Sequence, residues 1–157
     1  NVQWCFCKTR CVHVLPACAA AARKEGARVV WNAAPARDVS PGDLALVDTL
    51  IVNRVEAADI LGLDDVEADP AFAVALLSAL APKAEIILTL GGDGVVFAAP
   101  GQPCEIQPAQ SVDVISTHGA GDVFVGTFAA GRLQGMSLSK AVAAGQQAAA
   151  THISQSR

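Results

Sequence analysis

The stretch STHGAGDVF occupies positions 116–124 and leads into a long run with apolar residues at helical spacing. Three residues without bulk, Gly119, Ala120 and Gly121, leave backbone N–H groups open to an anion, and a helix beginning there adds its positive end. Asp122 then falls in the first helical turn, where a carboxylate beside a bound phosphate can accept a proton from an attacking hydroxyl. The structural alternative is that Asp122 only complements the helix dipole and the glycines make a tight turn.

Strand and helix patterns alternate upstream of this stretch, as in a layered α/β domain built on a largely parallel sheet. The sequence predicts helices over 16–25, 53–61, 70–80, 120–134 and 138–153, strands over 28–31, 44–52, 85–90 and 94–98, a surface loop over 33–42 and a hairpin-like connection over 100–108. A strand at 112–115 is expected to lead into the glycine run. Residues 1–11 show neither the helical nor the strand spacing of apolar residues. We therefore interpret them as an atypical start to a single domain over 1–157.

Composition narrows the class of protein. Of the 157 residues, 52% are hydrophobic and 17% charged, enough to bury one sizeable core. A net charge of −4 without a long basic run argues against nucleic-acid and anionic-membrane partners. The apolar stretches are rich in alanine and shorter than the roughly 20 residues of a membrane span. No signal-peptide pattern is visible, so a soluble, cytoplasmic protein is expected.

Four of the five cysteines lie within the first eighteen residues, which raises the question of zinc binding. They are Cys5, Cys7, Cys11 and Cys18, with His13 nearby. No Cys-x-x-Cys pair and no second ligand pair occur, and an odd number of cysteines suits reduced thiols. Buried or incidental thiols are therefore the better interpretation.

A second glycine turn, TLGGDG, occupies positions 89–94 between two predicted strands. It can place Thr89 and neighbouring backbone amides against nucleotide phosphates. The alternative is a plain hairpin turn between adjacent strands. It is not a Walker loop, because no Gly-Lys-Ser or Gly-Lys-Thr follows.

A third candidate lies at the predicted junction of a strand and a helix, where Asn53 is followed three residues later by Glu56. Glu56 can hold hydrated magnesium while Asn53 positions a ligand water. The alternative is that the two residues only cap the helix, because Asn at the N-cap with Glu three residues on is a helix-capping arrangement.

The order and spacing of these sites resemble the ribokinase-like, or PfkB-type, carbohydrate kinases. The second signature of that family, roughly Asp-Thr-x-Gly-Ala-Gly-Asp, is matched by Thr117 and by 119–122. Its Asn-x-x-Glu magnesium motif is matched by Asn53 and Glu56.

The glycine turn extends the resemblance, because Thr89, Gly91 and Gly94 match the Thr-x-Gly-x-x-Gly nucleotide loop of the family. The stretch WNAAPA at 31–36 is similar to the Asn-Pro-Ala-Pro stretch of ribokinases, with Ala33 in place of the first proline. The resemblance covers residues 16–153 and favours a ribokinase within the family.

The resemblance implies a three-layer α-β-α fold with a largely parallel central sheet, truncated at both ends, and ATP-dependent phosphorylation of a sugar hydroxyl. Asp122 is then the base, and the amides of Gly119, Ala120 and Gly121 stabilise charge on the transferring phosphoryl group. Nucleotide contacts are implied for Thr89, Gly91, Gly94 and Thr117, and magnesium contacts for Asn53 and Glu56. Mg-ATP is the implied donor and a small sugar the partner.

The chain also departs from the family. Members run to about twice this length, and the N-terminal part with most sugar contacts and the lid is absent, so the chain looks like a fragment. Ser116 replaces an Asp that binds the activating monovalent cation, which puts potassium activation in doubt. A homodimer stays open, although the usual dimer contacts involve the missing lid.

Two other functions are alternatives for this sequence. One is a non-catalytic nucleotide-binding remnant of such a kinase, which Ser116 and the truncations favour. The other is a dinucleotide-binding oxidoreductase, which the absence of a Gly-x-Gly-x-x-Gly turn argues against.

Overall fold

The computed structural model describes residues 3–8, 12–36 and 38–155. These residues form two units. The first consists of the described residues up to Leu90 together with Val96–Ile106, and the second of Gly91–Val95 and the described residues from Gln107 onward. None of the helices in these ranges is long and apolar enough to cross a bilayer.

A six-stranded sheet whose strands lie in sequence order forms most of the first unit. The strands are β1 (Trp4–Lys8), β2 (Arg28–Asn32), β3 (Thr49–Asn53), β4 (Glu85–Thr89), β5 (Val95–Ala98) and β6 (Glu105–Gln107). The first four are parallel. The connections over 90–94 and 99–104 are too short for parallel crossovers, so β5 and β6 run antiparallel to their neighbours. The predicted α/β class with a mostly parallel sheet is confirmed.

Four helices connect the parallel strands. They are α1 (Leu15–Lys24), α2 (Pro41–Leu44), α3 (Arg54–Leu61) and α4 (Pro70–Leu80). Helix α1 ends before Gly26, which has a left-handed φ of 68°. Helix α4 begins after Asp69, whose carboxylate accepts the N–H of Phe72. Both helices follow the predicted boundaries within one residue, because these end signals are local.

The core of the first unit lies on one face of the sheet. Alternate strand residues such as Trp31, Leu50 and Ile86 are fully buried with Leu15 of α1 and Leu77 of α4. The strand residues between them, Val30, Ile51 and Ile87, are buried as well. Burial of both strand faces accounts for the nearly continuous apolar runs that predicted these strands.

Two predicted boundaries are wrong. The strand expected at 44–52 begins only at Thr49, because Ser40 and Asp43 form a capping box that starts α2. The expected surface loop at 33–42 therefore ends in this helix, and its Ala33 and Ala36 are buried in the core. A strand was also expected at 112–115, yet this segment has no strand conformation.

Strand β1 lies in the atypical first eleven residues, and the sequence pattern does not predict it. It pairs with β2 along its whole length, from Trp4 opposite Arg28 to Lys8 opposite Asn32. Cys5 and Cys7 pack against the core, with 4.0 Å between their Sγ atoms.

The thiols of β1 have an unusual environment. Burial, together with the neighbouring Cys5 and Cys18 thiols, raises the pKa of Cys7 to about 12. Within the described ranges, no group of three or more His, Cys, Asp or Glu side chains is arranged to hold a metal ion. Cys11, part of the crowded cysteine set, lies outside those ranges.

The second unit contains two long helices, α5 (Ala120–Leu133) and α6 (Leu138–Ile153), joined by a short turn. A glycine allows them to approach closely. A Cβ atom built on Gly145 would lie 2.8 Å from the ring of Phe124 and 3.1 Å from its carbonyl oxygen. The ring of Phe124 stacks on that of Phe128, with 6.4 Å between centroids, and both are buried. The helix prediction for both segments is confirmed.

We expect Gly145→Ala to lower the free energy of unfolding by about 1 to 3 kcal/mol, because the methyl group overpacks the contact with Phe124. Gly126 of α5 is the matched control, since a Cβ there meets nothing within 4 Å. Gly126→Ala should stabilise the protein by about 0.5 to 1 kcal/mol through helix propensity. Urea unfolding of both variants tests this, and equal effects would contradict the close helix packing.

Candidate active site

The junction of β3 and α3 holds the first two candidate residues. The Asn53 side chain accepts the Glu56 N–H at 3.0 Å, and Glu56 Oε2 accepts the Asn53 N–H at 2.8 Å. This reciprocal pair is a capping box, as the structural alternative predicted. Asn53 is exposed, whereas Glu56 is 8% exposed.

Glu56 is electrostatically perturbed. Burial raises its pKa, and the negative charge of Asp59 adds to the effect, while the hydrogen bond from Asn53 and the positive charge of Lys8 oppose it. A single carboxylate with a nearby amide suits magnesium, which keeps several waters and needs only one or two protein carboxylates. The magnesium role itself stays a prediction.

Thr89 lies beside this junction. Register pairs Asn53 directly with Thr89 across β3 and β4. The Thr89 hydroxyl donates to the carbonyl oxygen of Val52 at 3.3 Å. The structure therefore brings together Asn53, Glu56 and Thr89, candidates that lie up to 36 residues apart in sequence.

Arg54 also links these strand ends, through a contact that the sequence motif does not predict. Its Nη2 donates to the carbonyl oxygen of Leu90 at 3.0 Å, and its Nη1 pairs with Glu67 Oε1 at 2.9 Å. Leu90 is buried and directly precedes the glycine turn. Arg54 therefore fixes the last backbone carbonyl before Gly91.

The glycine turn itself is short and tightly constrained. Gly91 and Gly94 have φ values of 62° and 108°, which favour glycine. A Cβ on Gly94 would clash with the carbonyl oxygen of Gln107, so backbone packing alone demands glycine there. The turn joins neighbouring strands, as the hairpin alternative predicted. Nucleotide contacts by Gly91 and Gly94 stay predictions.

The Gly-Ala-Gly-Asp stretch forms the start of α5 in the second unit. Gly119 is the N-cap, with a left-handed φ of 78° and no side chain capping the helix. The first N–H groups of a helix have no partner within it. The Ala120 N–H is bonded to the Thr117 carbonyl at 3.3 Å.

The space around this helix start is open. A Cβ on Gly121 would meet nothing within 4 Å, and both Gly121 and Asp122 are exposed. Five of the six residues over 117–122 are thus site candidates, and they lie at a helix N-terminus, which attracts anions. They are Thr117, Gly119, Ala120, Gly121 and Asp122.

His152 contacts this helix start and was absent from the sequence-based candidates. Its Nε2 lies 2.9 Å from the carbonyl oxygen of His118. A lone histidine near the end of a regular helix gives no sequence signal for such a contact.

Comparison with known proteins identifies a family and several relatives that resemble this chain. The sequence model of the pfkB family carbohydrate kinases matches residues 3–157. A ribokinase of Haemophilus influenzae is 35% identical over 136 residues, which cover 85% of this chain and 44% of that protein. The chain thus spans less than half the length of the curated relatives it matches.

Solved structures give the same fold. A ribokinase from Cryptococcus neoformans in complex with ADP is 26% identical, with a TM-score of 0.80 over 96% of this chain and 54% of that one. A ribokinase of Arabidopsis thaliana complexed with ribose and ATP is 21% identical, with a TM-score of 0.84 over 97% of this chain and 50% of that one.

We expect Arg54→Ala to cost about 1 to 3 kcal/mol of folding free energy, because it removes a charged hydrogen bond to a buried carbonyl. Glu67→Ala is the matched control. The Glu67 side chain is 70% exposed, so its ion pair should contribute about 0.5 kcal/mol. Urea unfolding compares the two, and equal losses would show that the Leu90 bond contributes nothing beyond the ion pair.

The raised pKa of Glu56 predicts a pH dependence. The folded protein holds the Glu56 proton more tightly than the unfolded chain, so the resulting stability is present at acidic pH and lost as the pH rises through the raised value. Wild type should therefore lose stability relative to Glu56→Gln as the pH rises from below the ordinary pKa of a glutamate through the raised pKa of Glu56. Urea unfolding without magnesium measures the free energy of unfolding of both proteins at each pH. The other carboxyl groups are the same in both proteins, so their contributions cancel in the difference. A difference that stays constant with pH would contradict the raised pKa of Glu56.

Proposed function

Because this chain belongs to the pfkB family of carbohydrate kinases, we propose that it carries the catalytic portion of an ATP-dependent kinase that phosphorylates a sugar hydroxyl, with ribose the first candidate. The observation that carries the proposal is the start of α5. There an uncapped helix N-terminus, a left-handed Gly119 and the carboxylate of Asp122 occur within four residues.

Phosphoryl transfer suits such a site. Its transition state spreads negative charge over the transferred group, so catalysis depends mainly on positioning and electrostatic stabilisation. We assign this stabilisation to the amides of Gly119 and Gly121 together with the positive end of the helix. The Ala120 N–H bonds to the Thr117 carbonyl at 3.3 Å and would have to leave that partner to join them. The open space beside Gly121 supports this assignment, because an anion needs room to approach the backbone.

Asp122 is proposed as the general base. Its carboxylate would accept the proton of the sugar hydroxyl while the hydroxyl oxygen bonds to the γ-phosphorus and the bond to the β-phosphate oxygen breaks. The products are the sugar phosphate and ADP, and the proton stays on the Asp122 carboxyl group until it passes to water.

The remaining candidates are proposed to hold Mg-ATP. Bound magnesium would neutralise phosphate charge, with Glu56 and Asn53 orienting its waters. Nucleotide contacts are proposed for Thr89, Gly91, Gly94 and Thr117. The ADP complex of the Cryptococcus relative supports nucleotide use.

Potassium activation is not part of this proposal. Ser116 stands where the family carries a cation-binding aspartate, and its Oγ accepts the His118 N–H at 3.3 Å. The cytoplasmic location and the homodimer remain predictions.

A second candidate function is a nucleotide-binding remnant without catalytic activity. The residue that favours it is Ser116, which stands where the family carries a cation-binding aspartate.

Replacement of Asp122 separates the two functions. We expect wild type to bind Mg-ATP in calorimetric titration and to release ADP with ribose, fructose or adenosine in a coupled assay. Asp122→Asn should retain binding but lose turnover by about 10²- to 10⁴-fold, because it removes the base. Asp113→Asn, in the exposed segment before the site, is the matched control and should leave turnover unchanged.

Three results are decisive. Turnover that survives in Asp122→Asn would reject the assigned base. Binding without turnover in wild type would favour the remnant. Absence of Mg-ATP binding would reject the nucleotide site in this chain.

A further inference from the structure

The last turn of α6 forms hydrogen bonds with the segment that leads into α5. The His152 side chain is half-buried, and its Nε2 lies 2.9 Å from the carbonyl oxygen of His118. A carbonyl oxygen can only accept a hydrogen bond, so Nε2 carries the hydrogen and donates it. The contact joins residues 34 apart in sequence.

Ile153, the next residue of α6, also bonds to this segment. The carbonyl oxygen of Ile153 accepts the N–H of Ile115 at 2.8 Å and that of Ser116 at 3.3 Å. Carbonyls in the last turn of a helix lack partners within the helix. The end of α6 and the segment before α5 therefore satisfy each other's hydrogen-bonding groups.

His152 also lies against the residue that turns the chain into α5. A Cβ on Gly119 would lie 3.4 Å from His152 Nε2. Gly119 has a φ of 78° and precedes the first helical residue directly. The peptide plane between His118 and Gly119 is thus held on its carbonyl side, and its orientation sets the direction of the Gly119 N–H.

We infer that His152 is a positioning residue for the amides at the start of α5, acting through the carbonyl of His118. The inference rests on the proposed function, in which those amides stabilise the transferred phosphoryl group. Without the imidazole, the peptide before Gly119 can rotate, and the Gly119 N–H no longer points consistently toward the bound phosphate. A loosened site of this kind loses transition-state stabilisation more than substrate binding.

The test compares wild type with three variants. His152→Ala removes the donor, and His152→Gln keeps an N–H donor at a similar reach. Thr151→Ala is the matched control, because the exposed Thr151 hydroxyl bonds only to the Gln147 carbonyl of its own helix among the hydrogen bonds observed here.

The first measurement is hydrogen exchange of the backbone amides over 115–121, which needs no ligand. His152→Ala should speed exchange in this segment by about tenfold, the size expected for loss of one hydrogen bond. His152→Gln should restore much of the protection, and Thr151→Ala should resemble wild type. Unchanged exchange in His152→Ala would overturn the inference.

The second measurement is turnover with Mg-ATP and the sugar that wild type accepts. His152→Ala should lower kcat by about tenfold with KM for ATP nearly unchanged, and His152→Gln should recover activity. Faster exchange with unchanged kcat would make the contact merely structural and overturn its positioning role. If wild type turns nothing over, the proposed function fails, and exchange alone decides whether His152 orders this segment.

Discussion

The parallel pairing of β3 with β4 is the constraint on which the first unit depends. Its register sets Asn53 opposite Thr89, so the two strands end at the same edge of the sheet. A slip of one residue would turn every buried side chain of either strand to the opposite face. A buried bond from the Thr49 hydroxyl to Glu85 Oε2, 2.9 Å long, secures the other end of the ladder. Candidate residues from two distant motifs are neighbours only because this register holds.

Helix ends were predictable where the signal is local. Asp69 before Pro70 marks the start of α4, and Ser137 caps α6 by accepting the Lys140 N–H. The short elements were not. Strand β1 gains its structure from pairing with β2, and α2 replaces part of an expected strand because its capping box outweighs the apolar pattern. Pairing partners and competing caps are not contained in the periodicity of one segment.

The same distinction applies to the candidate site. Motif residues could be identified from their spacing, including the capping box of Asn53 and Glu56. The contacts that orient these motifs could not, since Arg54 reaches a carbonyl 36 residues away and His152 one 34 residues away. Such bonds depend on how elements pack in three dimensions. Gly94 illustrates a related limit, because it matches a nucleotide motif while its conformation is already required by the nearby Gln107 backbone.

The Cys7 thiol in the edge strand β1 has a consequence for following the motion of this protein. Its raised pKa keeps Cys7 almost entirely in the thiol form at neutral pH, and thiolates are the species that electrophiles attack. Iodoacetamide should therefore alkylate Cys7 slowly while β1 remains in the sheet. Once β1 detaches, the thiol enters water and regains ordinary reactivity. The rate at which Cys7 is alkylated therefore reports how often β1 detaches from the sheet.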